Sequence, residues 1–524
     1  MAPPGRANGG LAALAAALTL AILLGACSPA TPTPSASDRP VATDVAETPS
    51  AGPTDTPAEP SPTAAPVVVA LAHWSDCGKG FLCAEVRVPR DYAAPSNGYV
   101  NISMVDLPAT DRKTRIGALV VNPGGPGGSG VEFVRDSASL FSAAMRKRFD
   151  IVGFDPRGVN SSTAVRCIDN LDEQARIDPT PDTATELRAL LNSARDYAEA
   201  CAKRNADLLP YLSTDSVARD LDAIRQAVGD KQLSYLGFSY GTLIGSTYAD
   251  LFPDHVRAMV LDGAIDPALD LKAFRFGQAK AFEGALASFL KDCAAKTSCV
   301  FHENGRTVQA FNSLMASIDT RSLPAIRLND SRRIGPGIAW SAVIASLYSK
   351  SSWPVLAATL ELAKQGDGSL MLALADPYRG RKPNGSYSNE QDAYFANTCL
   401  DFQAPTDSKV YSSWATQLET AAPHFAQLLA YNDLPCAFWP VPAERTPAAA
   451  SAKGAPPIIV VGSTGDPATP YAWAVSLSRE LDSGVLITRK GEGHTGYAAS
   501  ACVQRAVDAY LLGLTVPKKG LTCK

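Results

Sequence analysis

The chain has 524 residues, of which 46% are hydrophobic, and a formal net charge of −4. That length allows one large core with a sizeable insertion or more than one compact unit, and the apolar content can bury either. Positive and negative side chains are scattered with no basic run, which excludes the electrostatic footprint of a nucleic-acid-binding protein.

Taken in chain order, the first element is a targeting segment over residues 1–26. Arg6 and the free amine precede the apolar run "LAALAAALTLAILLGA", which is too short and wrongly flanked for an ordinary spanning helix. Its end, Leu24-Gly25-Ala26-Cys27, resembles the lipobox of bacterial lipoproteins, which implies cleavage before Cys27 and a lipid on that residue. A plain secretory signal that happens to contain a cysteine is the competing reading. Residues 27–66 are almost wholly Pro, Thr, Ser, Ala and Asp, too poor in apolar surface to order themselves, and read as a tether. The expected location is extracytoplasmic, either lipid-anchored at the outer face of the cell membrane or secreted. Eleven cysteines less the lipid site leave ten. Pairing each with its sequence neighbour gives Cys77–Cys83, Cys167–Cys201, Cys293–Cys299, Cys399–Cys436 and Cys502–Cys523. No C-x2-C pair occurs and the histidines are not clustered near cysteines, so disulfides are expected rather than a metal site, and no cofactor is implied.

Beyond the tether, "CAEVRVPRDY" and "YVNISMVDL" predict an antiparallel opening pair. The apolar runs "IGALVVN", "DIVGFD", "LSYLGF", "AMVLDGA", "PIIVVGS" and "VLITRK" predict further strands. Helical stretches lie between several of them; "STDSVARDLDAIRQAVGD" starts with capping residues and ends at Gly229. This alternation predicts an α/β fold, a mostly parallel sheet with helices on both faces, over residues 67–267 and 453–524. From Asp266-Pro267 to about residue 452 helical periodicity dominates, the profile of an inserted cap over 268–452.

Ser239 in "LGFSYGTLIG" follows one apolar run and opens a helical stretch, with Gly237 and Gly241 two residues to either side. That is the pattern of a nucleophile held on a tight strand-to-helix corner. A serine hydroxyl needs two oxyanion donors and a base. The first donor is expected to be the backbone N–H of Tyr240, and the second to come from Asn122-Pro123-Gly124-Gly125-Pro126-Gly127-Gly128-Ser129-Gly130 after an earlier strand. The prolines there have no N–H to give. Gly125 is the first choice and Gly124 the second. A phosphate cradle would need spacings this loop lacks. Of five histidines, His494 in "VLITRKGEGHTGY" lies just after the last expected strand, and Asp466 in "VVGSTGDPATP" just after the one before it. The order Ser239, Asp466, His494 is that of α/β-hydrolase triads.

With "NPGGPGGSG", "FDPRGVNSS", "GFSYGTLIGSTYADLFPDHVRAMVLDG", "GDPATPYAWA" and "GEGHTGY" in place, the chain from about residue 74 resembles α/β-hydrolase serine peptidases of the prolyl aminopeptidase type, nearest the secreted tripeptidyl aminopeptidase-like proteins of actinobacteria. The resemblance implies Ser239 as nucleophile, Asp466 as orienting acid and His494 as base. It departs from prolyl aminopeptidases at Asn122-Pro123-Gly124, where they usually carry His-Gly. "FANTCLDFQAP" resembles the tripeptidyl branch's cysteine-plus-acid motif, which implies that Asp401 holds a substrate's amino terminus. An aminopeptidase needs carboxylates for that ammonium, and the cap offers Glu390, Asp392 and Asp401 in one short region.

The function expected is an exported serine peptidase releasing short, tripeptide-type fragments from peptide amino termini. A carboxylesterase or lipase would use the same three residues on esters, and a lipid-anchored solute-binding protein would use none of them. The partners expected are peptides or esters and, through Cys27, a membrane; the sequence carries no signal for the oligomeric state.

Overall fold

The computed structural model describes residues 68–524. The expected signal segment, Cys27 and the tether lie outside the described residues. Five disulfides join Cys77–Cys83, Cys167–Cys201, Cys293–Cys299, Cys399–Cys436 and Cys502–Cys523, the pairing of sequence neighbours.

The strands in chain order are β1 (Ser75–Asp76), β2 (Leu82–Pro89), β3 (Tyr99–Leu107), β4 (Gly117–Asn122), β5 (Phe149–Phe154), β6 (Leu233–Phe238), β7 (Val256–Asp262), β8 (Leu323–Ala325), β9 (Asp330–Ile334), β10 (Ile458–Gly465), β11 (Gly484–Glu492) and β12 (Thr522–Cys523). Among the described residues, ten of them make one sheet in the order β1-β2-β3-β5-β4-β6-β7-β10-β11-β12. The pairs β1–β2, β2–β3 and β3–β5 are antiparallel. Every pair from β5–β4 onward is parallel. All six residues of β4, β5 and β6 are buried, which is why they read as unbroken apolar runs rather than as alternating strands.

The parallel stacking decides where the chemistry can sit. Because β4, β6, β7, β10 and β11 run the same way, the loops after all of them emerge at one edge of the sheet. Register sharpens this: Asn122 at the end of β4 pairs with Gly237 near the end of β6, so the glycine-rich loop lies against the corner that carries Ser239.

The segment Thr214–Ala227 is helical as expected, with the Ser213 hydroxyl accepting the Ser216 N–H and Gly229 following at φ +80°. The insertion is mostly helical. Its helices Leu271–Ala294, Thr307–Thr320, Pro336–Leu347 and Trp353–Lys364 enclose an apolar cluster of their own that includes Phe282, Phe289, Phe311 and Trp340. Two features depart from the expected helical cap. The antiparallel pair β8–β9 forms a hairpin inside it, turning at Asn329 with φ +50°. Its carboxy-terminal part is not separate from the core either, since Phe402, Tyr411, Trp414, Tyr431 and Leu434 belong to the cluster that packs on the sheet. The described residues, 68–524, accordingly belong to a single compact unit. Among the described residues no helix is long and apolar enough to cross a membrane.

Candidate active site

Ser239 stands between β6 and the helix Tyr240–Leu251, at φ 55° and ψ −124°. That backbone conformation is unusual for a residue with a Cβ and costs about 1–3 kcal/mol, so the surroundings must hold it. They do so from both sides. The Ser239 N–H donates to the Asp262 carbonyl at 2.9 Å, while the Ser239 carbonyl accepts from the Thr242 hydroxyl at 2.6 Å. The neighbouring glycines are required by space: a Cβ on Gly237 would lie 2.4 Å from the Gly241 carbonyl, and one on Gly241 would lie 2.8 Å from the Asn122 carbonyl. Within residues 233–246 Ser239 alone keeps part of its surface open.

The glycine-rich loop closes over this corner. A Cβ on Gly124 would come within 2.4 Å of the Phe238 carbonyl and 2.8 Å of the Tyr240 nitrogen, so no other residue fits there. The Gly124 N–H is already taken, donating to Asn122 Oδ1 at 2.9 Å. The N–H of Gly125 donates to nothing among the described residues. Tyr240 is the first residue of its helix, where an N–H has no intrahelical acceptor. Two free donors therefore flank Ser239, those of Gly125 and Tyr240. Gly124 is the weaker choice because Asn122 consumes its hydrogen.

His494 lies two residues past β11. Its Nδ1 donates to both oxygens of Asp466 at 2.9 Å, and Asp466 is held after β10 by the N–H groups of Ala468 and Thr469 on one oxygen and of Thr495 on the other. Burial pulls the imidazole toward neutrality, but the Asp466 carboxylate, with Asp262 behind it, outweighs that and leaves its pKa above the ordinary value. Its other nitrogen, Nε2, is buried with no hydrogen-bond partner. The His494 ring comes up against Gly263, whose neighbour Asp262 holds the Ser239 N–H. Histidine and acid are thus joined, and the Gly263 contact brings the imidazole to the strand end that holds Ser239; among the described residues no hydrogen bond joins Ser239 to His494.

Two further residues shape the site, and neither stood out in the sequence. The Asp262 carboxylate accepts the N–H groups of Gly496 at 2.8 Å and Tyr497 at 2.7 Å, fixing the backbone just beyond His494. Burial pushes its pKa up to about 6. In the sequence it is hidden as the last residue of an apolar strand. Tyr348 of the cap accepts the His494 N–H on its carbonyl at 2.8 Å and sets its ring edge-on to the imidazole, with centroids 5.3 Å apart. Nothing in the sequence connects positions 146 residues apart.

The three cap carboxylates fare differently. Asp392 accepts from the Cys167 N–H and the Tyr197 hydroxyl, and is buried. Asp401 is 1% exposed and spends both oxygens on Thr214. Neither is free to receive a substrate's ammonium, which corrects that expectation for both: each is a buried carboxylate already satisfied by the core. Glu390 is different. It is exposed and its carboxylate accepts no hydrogen bond among the described residues; desolvation by the surrounding chain first and Glu132 second raise its pKa. Its backbone touches the glycine-rich loop, since a Cβ on Gly127 would lie 2.3 Å from the Glu390 carbonyl.

Comparison with known proteins agrees with this architecture. A family model described as alpha/beta hydrolase fold matches residues 117–314, and one described as TAP-like protein matches residues 422–523. Serine protease Hip1 of Mycobacterium tuberculosis is 38% identical over 457 residues, covering 85% of this chain and 87% of that protein. Tripeptidyl aminopeptidase of Streptomyces coelicolor is 34% identical, with 86% and 85% covered. Carboxylesterase B of Mycobacterium tuberculosis is 36% identical, with 91% and 95% covered.

Proposed function

The chain belongs to the α/β-hydrolase family of serine hydrolases, and from that premise we propose that it is a peptidase that releases short fragments from free amino termini through an acyl-enzyme on Ser239. His494 Nε2 takes the Ser239 proton as the oxygen attacks the carbonyl carbon, and Asp466 holds the tautomer with hydrogen on Nδ1 and stabilises the imidazolium. The N–H groups of Gly125 and Tyr240 receive the oxyanion. The proton then passes from His494 to the leaving amine, and water repeats the sequence to release the acyl group. The observation that carries this reading is the imidazole whose Nδ1 is locked on Asp466 while its buried Nε2 has no hydrogen-bond partner, at the same sheet edge as Ser239.

Preference for peptides with a free amine rests on Glu390, a cap residue with an unpaired carboxylate whose backbone touches the glycine-rich loop. Glu390→Gln is expected to lower kcat/KM about tenfold on tripeptide substrates with a free amine, and little on the same substrates acetylated or on simple esters, the size of one charge-assisted hydrogen bond. Equal losses on all three would remove the exopeptidase reading. The relative named carboxylesterase supports the second reading, an esterase using the same residues; faster turnover of short acyl esters than of any peptide in a mixed library, read by mass, would favour it.

Export and lipid attachment at Cys27 are part of the proposal. Five disulfides suit an oxidising compartment. Cys27→Ala should move the protein from the membrane fraction to the medium; unchanged membrane association would exclude the anchor.

A further inference from the structure

We propose that Asp401 is a positioning residue that acts through the Thr214 hydroxyl on Tyr240, the residue whose backbone N–H serves the oxyanion. This rests on the proposed role of Tyr240 and deepens it.

The three side chains form one buried line from the cap to the corner of the nucleophile. Asp401 ends the cap helix Glu390–Asp401, and Thr214 opens the core helix Thr214–Ala227. Asp401 accepts the Thr214 N–H on one oxygen at 2.8 Å and the Thr214 hydroxyl on the other. The Thr214 oxygen meets the Tyr240 hydroxyl at 2.6 Å. Thr214 is fully buried, and Asp401 and Tyr240 are nearly so. With all three groups buried, the direction of the chain follows from counting protons. Thr214 has one hydroxyl hydrogen and gives it to the carboxylate, so the Tyr240 O–H must donate to Thr214. The tyrosine ring is thereby tied at its far end, while its backbone turns directly off Ser239.

The chain has a second polarity. Burial pushes the Asp401 pKa up to about 7; Thr214 and Arg445 work against this, and Asp215 adds to it. Once protonated, Asp401 donates to the Thr214 oxygen, the Thr214 hydroxyl turns to Tyr240, and the phenol must find another acceptor. Asn397 faces that hydroxyl and has a buried Oδ1 without a partner, its amide nitrogen being committed to the Leu212 carbonyl at 2.7 Å. One proton on the cap therefore re-directs the hydrogen bond that anchors Tyr240. The same helix begins at Glu390, so its two ends face the substrate's amine and the oxyanion donor.

The test measures kcat and KM for Y240F, T214V and D401N beside S239A, on one tripeptide substrate. Y240F removes only the hydroxyl, and D401N keeps an acceptor for the Thr214 N–H while fixing the reversed polarity. Each is expected to lower kcat about tenfold, a part of what losing the whole donor costs, with KM within about twofold. The double variant Y240F/D401N should be no worse than the poorer single one, because both cut the same chain. The acid side of the wild-type kcat profile should follow two groups, Asp401 and His494, and that of D401N only one. Lowered thermal stability with wild-type kcat and pH profile would make the chain a purely structural clasp and overturn the proposal. Should D401N fail to fold, Y240F alone decides it. Wild-type kcat in Y240F with S239A inactive overturns this inference and leaves the triad standing, whereas activity in S239A overturns the triad.

Discussion

Ser239→Ala is expected to lower kcat by about a millionfold, the scale on which a nucleophile fails when its base and oxyanion donors remain. Alanine keeps the Cβ, so the backbone at φ 55° is no more strained than before, and the hydrogen bond from residue 239 to the Asp262 carbonyl is untouched. What is lost is the oxygen proposed to form the acyl-enzyme. KM should change little, since substrate contacts with the cap and the donors of Gly125 and Tyr240 persist. Steady-state kinetics on peptide and ester substrates should show the same proportional loss, because both classes share the attack step. A variant retaining more than about a thousandth of wild-type kcat would mean that another group performs the chemistry.

Asp466→Asn should cost about 10⁴ in kcat, because it reverses the imidazole. Asp466 Oδ1 accepts the Ala468 and Thr469 N–H groups, so an asparagine keeps its carbonyl there and turns its amide hydrogens toward Thr495 and His494 Nδ1. The amide then donates to Nδ1, leaving the hydrogen on Nε2, where the Ser239 proton has to go. The pH profile gives a second readout. In the wild type Asp466 raises the His494 pKa against the pull of burial, and activity is lost as pH falls through that raised value. Without the carboxylate, burial dominates and the acidic limb must shift to lower pH. A limb that stays in place would show that His494 is not the titrating base.

Much of this was legible in the sequence, for physical reasons. Strands such as Leu119–Val121 and Tyr235–Leu236 are buried on both faces, so they print as unbroken apolar runs that length and flanking glycines identify. Ser239, Asp466 and His494 were legible because each lies within two residues of the end of a strand, and parallel strands bring their ends to one edge. Two of the three cap carboxylates were misread because sequence proximity does not say what a helix face meets. Asp392 and Asp401 point to Cys167 and Thr214, 225 and 187 residues away. Asp262 was missed because a carboxylate inside "AMVLDGA" looks like the end of a strand, and only the fold brings the amides of Gly496 and Tyr497 to it. The cap's own boundary was blurred for a related reason: Phe402 and Trp414 have the periodicity of cap helices but pack on the sheet.

The most direct measurement is a crystal structure of the protein after inactivation by a fluorophosphonate. Phosphorus should be bonded to Ser239 Oγ, with the phosphoryl oxygen about 2.7–3.1 Å from the nitrogens of both Gly125 and Tyr240, and His494 Nε2 turned to the reacting centre while Nδ1 stays on Asp466. An adduct on any other residue, or one on Ser239 whose oxygen faces away from both amides with His494 out of reach, would contradict the account.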